Sequence, residues 1–233
     1  MTRIFSLSWM VLVVVMASLT QAQATIVTYS SQSAWLAAVT GVTTIDFNSM
    51  STGSAGTLLA LGPALNQINV SVQGGSQVQI VPGNSYYGIN DYSNVLADTN
   101  NFGAMHFNAA PSNTTSILAL AANLFTGSGT QGSVIVNIYL SGSPSTLAFT
   151  TTLTTNNGSS QTPLFFGVTS DVAIDHVDFI TLTNSDGPVV IDNLQWGQLN
   201  VISSPTPELP TFAYLAIGMA GLFLGLRRRQ LLA

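Results

Sequence analysis

The chain has 233 residues, of which 6% are charged and 46% hydrophobic, and its formal net charge is -5. Ordinary soluble proteins are about 25% charged, and a nucleic-acid surface needs clustered cations against phosphate; with Lys and Arg together numbering 4, no nucleic-acid partner is expected. The absence of cysteine excludes a disulfide-stapled scaffold, a thiol enzyme and a cysteine-ligated zinc site.

The basic residues are Arg3, Arg227, Arg228 and Arg229, so nothing basic stands between the two ends. The acids are Asp46, Asp91, Asp98, Asp171, Asp175, Asp178, Asp186, Asp192 and Glu208. Cationic ends around an acidic middle suit a chain whose ends stay cytoplasmic while its middle crosses a membrane. The N-terminus agrees. Arg3 is a short basic region, residues 10–17 are apolar, and Ala22 and Ala24 make a small-x-small pair. That is the layout of a secretory signal peptide, residues 1–24, cut after Ala24. Its apolar run is shorter than the ~20 residues of a spanning helix.

Residues 25–202 form one composition block, rich in Thr, Ser, Asn and Gly with β-branched apolar residues, which favours strands and turns. A helix is predicted over residues 32–39. Trp35, Leu36 and Val39 share one face, a serine caps it and Gly41 stops it. Period-2 runs follow at Ile68, Val70 and Val72, at Val78 and Ile80, at Met105 and Phe107, and at Val134, Val136, Ile138 and Leu140. Val189 and Ile191 close the set, with Leu194 and Trp196 on the opposite parity. Turn signals at Gly74-Gly75, Pro82-Gly83, Asn156-Asn157-Gly158 and Asp186-Gly187-Pro188 separate them. The fold class expected is all-β, an antiparallel sandwich or jelly roll with one short N-terminal helix. About 180 residues suffice to bury a two-sheet core without metal or disulfides.

Residues 203–211 are a spacer punctuated by Pro205, Pro207 and Pro210, which hold it extended. Residues 212–229 read as a short transmembrane helix ending in Arg227, Arg228 and Arg229, which stay inside while the body stays outside. Gly221 and Gly225 form a GxxxG pair that permits close helix approach. This layout resembles the PEP-CTERM sorting signal of Gram-negative, exopolysaccharide-producing bacteria. That signal is a Pro-Glu-Pro motif, one hydrophobic helix and an Arg-rich end. Pro207 and Glu208 match the first two motif positions; Leu209 stands at the third, and Pro210 follows one place late. The resemblance implies recognition by an exosortase-like membrane transpeptidase, cleavage near Glu208, and transfer to the cell surface or release. The body also resembles the β-sandwich ectodomains of such proteins, at Ser33-Ala34-Trp35, at Thr44-Ile45-Asp46-Phe47, in the stretch from Phe165 to Asp171, and at Ile191-Asp192-Asn193-Leu194. Those patterns imply a fold and no activity.

Candidate binding residues are few. Asp46 and Asp192, from an early and a late strand, are a pair that Ca2+ would take together with backbone oxygens; the ordinary alternative is that they cap turns. Tyr86, Tyr87 and Tyr92, set among Gly, Asn and Asp, suit stacking on sugar rings. Asp171, Asp175, His176 and Asp178 are the densest ionisable cluster, a composition that could serve as an acid–base pair or a metal site. Strand alternation puts His176 and Asp178 on one face and Asp175 on the other, and the segment reads as a solvated turn followed by a charged strand edge. His106 reads as a solitary polar residue on an outer face. Residues 127–132 match GxGxxG, but a strand follows instead of a helix, so they read as a hairpin turn. Asn69, Asn113 and Asn157 begin N-x-Ser/Thr sequons, which permit glycosylation without requiring it. No catalytic residue set emerges, since the chain has 2 His and no Cys, no GxSxG elbow, and no Glu before Glu208.

These features together point to an exported, non-enzymatic cell-surface or extracellular-matrix protein, structural or adhesive, associated with exopolysaccharide. It would be membrane-anchored before processing. The alternatives are a Ca2+-dependent, lectin-like carbohydrate-binding module and a plain single-pass anchored ectodomain. Intact-mass measurement of the protein from its native host is expected to find a chain that starts near Thr25 and ends near Pro207 or Glu208. A membrane-bound chain still carrying Arg227, Arg228 and Arg229 would establish the plain anchor instead.

Overall fold

The computed structural model describes residues 24–73, 77–83, 93–98, 104–127, 132–155, 162–182 and 186–200. The elements run β1 (Ile26–Tyr29), α1 (Gln32–Ala38), β2 (Val39–Ile45), β3 (Gly53–Gly56), β4 (Leu58–Leu61), β5 (Ile68–Val72), β6 (Val78–Pro82) and β7 (Asn94–Asp98). They continue with β8 (Ala104–Ala109), β9 (Ala119–Thr126), β10 (Ser133–Leu140), β11 (Leu147–Thr154), β12 (Leu164–Ser170), β13 (Ile174–Thr181) and β14 (Val189–Leu199). The strands form two antiparallel sheets, as the alternating sequence pattern predicts. The larger has 8 strands in the order β1-β12-β9-β14-β7-β6-β3, with β2 also pairing β14; the smaller has 6, in the order β11-β10-β13-β8-β5-β4.

The two sheets stack through one apolar layer. Alternation in β5 and β10 buries Ile68, Val70 and Val72, and Val134, Val136, Ile138 and Leu140. These meet Val78, Ile80, Leu120, Leu124, Val168 and Ile191 of the larger sheet in one cluster. Phe179 of β13 ties the layers together. It packs edge-on against Phe107 in its own sheet, ring centroids 5.4 Å apart, and against Phe166 of the larger sheet at 6.2 Å. Apart from Asn200, the described residues belong to one unit that ends at Leu199.

The outer face of the larger sheet is also apolar. Trp35 and Val39 cover Ala119 and Ala121, and Val81, Val95, Ala97, Phe125 and Val190 form a further cluster. Trp35 donates its indole N–H to the Val168 carbonyl at 3.1 Å. Gly167 makes that approach possible, because a Cβ there would stand 2.6 Å from the indole ring.

Several local expectations change. The helix ends at Ala38, Leu36 is 42% exposed, and only Trp35 is buried from it, because Val39 already opens β2. Ser31 sits at the N-cap but makes no cap bond; its hydroxyl bonds that of Ser33 at 2.8 Å. Gly41 lies inside β2 at φ 62° and does not stop a helix. Thr40 pairs with Gln198 and Thr43 with Trp196, so two residues oppose Gly197, a bulge whose left-handed position suits glycine. The parity switch in β14 is a second bulge. Register shifts between Asp192 and Gln195, with Asn193 at φ 51°. β9 and β10 lie in different sheets, so they form no hairpin; residues 128–131 between them lie outside the described residues.

Phe179→Ala should cost about 3–5 kcal/mol, because it leaves a cavity in the layer both sheets share. Urea unfolding of the variant against the parent chain measures this.

Candidate functional site

The smaller sheet differs from the larger in its outer face. Where Val, Ile and Phe point inward along β10, β13, β8 and β5, the intervening residues point out, and most are polar. Pairing aligns them into two rows. One runs Tyr139, His176, Asn108, Asn69; the other runs Asn137, Asp178, His106, Ser71. Directly opposed side chains in a sheet are about 5 Å apart, close enough to interact. Thr150 of β11 extends the second row, donating its hydroxyl to Asn137 Oδ1 at 2.7 Å.

The rows meet in a cluster of imidazoles and carboxylates. His106 Nδ1 lies 2.6 Å from Asp178 Oδ1, and His176 Nδ1 lies 2.7 Å from Asp175 Oδ2. An ionised carboxylate only accepts, so in each pair the hydrogen sits on Nδ1 and Nε2 is left for another partner. The two imidazole rings are 4.3 Å apart at their centroids, and Tyr139 stacks on His176 at 4.1 Å. One ligand atom from each of His106, His176 and Asp178 lies within 4.8 Å of the others, the group of metal-ligating type found among the described residues.

Three sequence expectations are corrected here. β13 is no edge; it lies between β10 and β8. His106 is not solitary, because pairing of β8 with β13 sets it opposite Asp178. Asp175 does not turn away from His176. Tyr139 pairs with His176 and Leu140 with Ile174, which leaves Asp175 as the extra residue of a bulge. A bulge re-aims its side chain, here onto the His176 face.

The other predicted residues are placed differently. Asp46 is exposed, its Oδ1 accepting the Asn48 N–H at 3.2 Å. Asp192 is buried, its Oδ1 accepting the Asn193 N–H at 2.8 Å. Both carboxylates thus serve a neighbouring amide, at a turn and at a bulge. Asp171 lies away from the cluster and accepts the Thr25 N–H at 2.8 Å. Asn69 stands on the polar face, while Asn113 braces a loop through the N–H and C=O of Gln67. Tyr86, Tyr87, Tyr92, Asn157, Ala22, Pro207, Glu208, Pro210, Arg227, Arg228 and Arg229 lie outside the described residues. Among the described residues no helix is long and apolar enough to cross a membrane. A shallow cleft of about 210 Å³ beside Asn113, Ser141 and Ala173 is lined by no titratable side chain.

No protein-family model matches the chain, and no curated protein matches it. Solved structures similar to it include the CBM22-1 xylan-binding domain of Xyn10C from Paenibacillus barcinonensis, at 9% identity over 56% of this chain and 85% of that one, TM-score 0.32. The K2 cleaved adhesin domain of Lys-gingipain matches at 13% identity over 75% and 100%, TM-score 0.35. The family 29 carbohydrate-binding module CBM29_1 from Piromyces equi matches at 15% over 67% and 90%, TM-score 0.31. At such TM-scores the likeness settles nothing about what this chain binds.

Asp178 is 5% exposed, and His106 is its hydrogen-bond partner. His106→Ala should therefore cost about 1–3 kcal/mol at neutral pH, the penalty of a buried acceptor left without a donor. Adding Asp178→Asn to that variant should return part of the loss, read from chemical unfolding of the single and double variants.

Proposed function

We propose that this chain is an exported surface or matrix protein that holds uncharged polysaccharide against the outer face of its six-stranded sheet. The observation that carries the reading is the pair of polar rows crossing β10, β13, β8 and β5. Three strand spacings give each row a length of about 14 Å. Amides, hydroxyls, imidazoles and a phenol along that length offer donors and acceptors to successive sugar hydroxyls. The body supplies acids and no Lys or Arg between Arg3 and Arg227, so anionic polymers are repelled and neutral ones are not. The role is adhesive and structural, not catalytic.

Export is supported from both ends. Cleavage after Ala24 would leave the new Thr25 ammonium where its nitrogen now stands, 2.8 Å from Asp171 Oδ1. Processing at Pro207 and Glu208 by an exosortase-like transpeptidase would release the body from the membrane-bound helix, in keeping with the PEP-CTERM-like order of spacer, apolar run and Arg cluster.

Tyr139→Ala and Asn108→Ala test the face while keeping His106, His176, Asp175 and Asp178 in place. Each should weaken binding of neutral exopolysaccharide about tenfold in calorimetry or affinity electrophoresis, with the melting temperature moved by only a few degrees. Unchanged affinity in both variants, or preference for an anionic polysaccharide, overturns the reading.

A further inference from the structure

We propose that His106, His176 and Asp178 hold a divalent transition-metal ion of the zinc type on the outer face of the smaller sheet, with Asp175 positioning His176. The inference does not depend on glycan binding.

The chain has 2 histidines, far apart in sequence, and the pairing of β8 with β13 brings both to one spot. Their ligand atoms and that of Asp178 lie within 4.8 Å of one another. Ligands at 2.0–2.1 Å around a tetrahedral ion are about 3.3 Å apart, so the ion would take the place of the hydrogen between His106 Nδ1 and Asp178 Oδ1, opening that 2.6 Å pair slightly, and the other separations would close by no more than about 1.5 Å. Rotation of partly exposed side chains supplies that; His106 and His176 keep 24% and 14% of their side-chain surface. A two-histidine, one-carboxylate set suits zinc, copper, nickel or cobalt, whereas Ca2+ and Mg2+ demand oxygen ligands throughout. The fourth position faces outward and is left to water.

Asp175 is the independent sign. A ligating imidazole is oriented by a carboxylate on its other nitrogen, and Asp175 Oδ2 lies 2.7 Å from His176 Nδ1. Asp175 has no partner in β10, and the bulge turns its carboxylate onto the His176 face. The surrounding body carries no Lys or Arg to compete with a cation for the carboxylates.

The test uses the full-length chain in mild detergent, purified without a histidine tag, stripped with EDTA and titrated with zinc chloride. One ion per chain is expected. The melting temperature should rise by about 5 to 10 °C at a zinc concentration a hundred times the dissociation constant. Asp175→Asn should weaken zinc binding 10- to 100-fold while leaving the metal-free melting temperature nearly unchanged. His176→Gln should abolish the melting shift, and it keeps the Asp178–His106 pair intact should His106→Ala unfold. Calcium chloride should give no comparable shift that depends on His176. Absence of heat and of a melting shift in the parent chain, or zinc affinity retained within threefold in His176→Gln, overturns the proposal.

Discussion

A body without Lys or Arg has no permanent cation to set against its carboxylates, and the arrangement of this protein follows from that constraint. Cohesion must come from apolar contact, so the layer between the sheets is continuous from Phe47 to Trp196. Each buried carboxylate must find a neutral donor, because an isolated buried charge is very costly. Asp192 takes the amide N–H of Asn193. Asp178 takes an imidazole, the one side chain available in this body that can carry positive charge. His106 therefore stands where folding needs a donor, and strand pairing brings the His176 ring beside it.

The two sheets divide the work. Both faces of the larger are spent on packing, one against the smaller sheet and the other beneath Trp35 and in the cluster around Phe125. The smaller packs on one face only, so its other face is free to be polar. Antiparallel sheets allow this, since alternate residues serve different solvents. A polar surface there costs the core nothing, because Tyr139, His176 and Asn108 replace no apolar contact between the layers.

The same asymmetry decides what the sequence could disclose. β5, β8 and β10 read directly, since one face is buried and the other wet. β9 did not, because all but Asn123 of its residues are buried and no period survives. β11 is mostly exposed and threonine-rich, so no buried apolar period marks it. For the site, alternation correctly put His176 and Asp178 on one face. It carried nothing about His106, whose place opposite Asp178 is set by pairing between distant strands. The opposite parity of Leu194 and Trp196 was visible, but the bulge that causes it needed the register of β9.

The bulge at Asp175 shows why folding and site formation are hard to separate here. In an unbroken strand with His176 facing out, Asp175 would point into the interlayer and Ile174 into water. Each misplacement is unfavourable, the first by the cost of a carboxylate among apolar side chains and the second by lost burial. One extra residue reverses both: Ile174 joins the core at 4% exposure, and Asp175, in the same step, reaches His176 Nδ1. Core burial alone therefore favours the bulge. The second carboxylate of the imidazole cluster is placed by that preference, at no further cost to the fold.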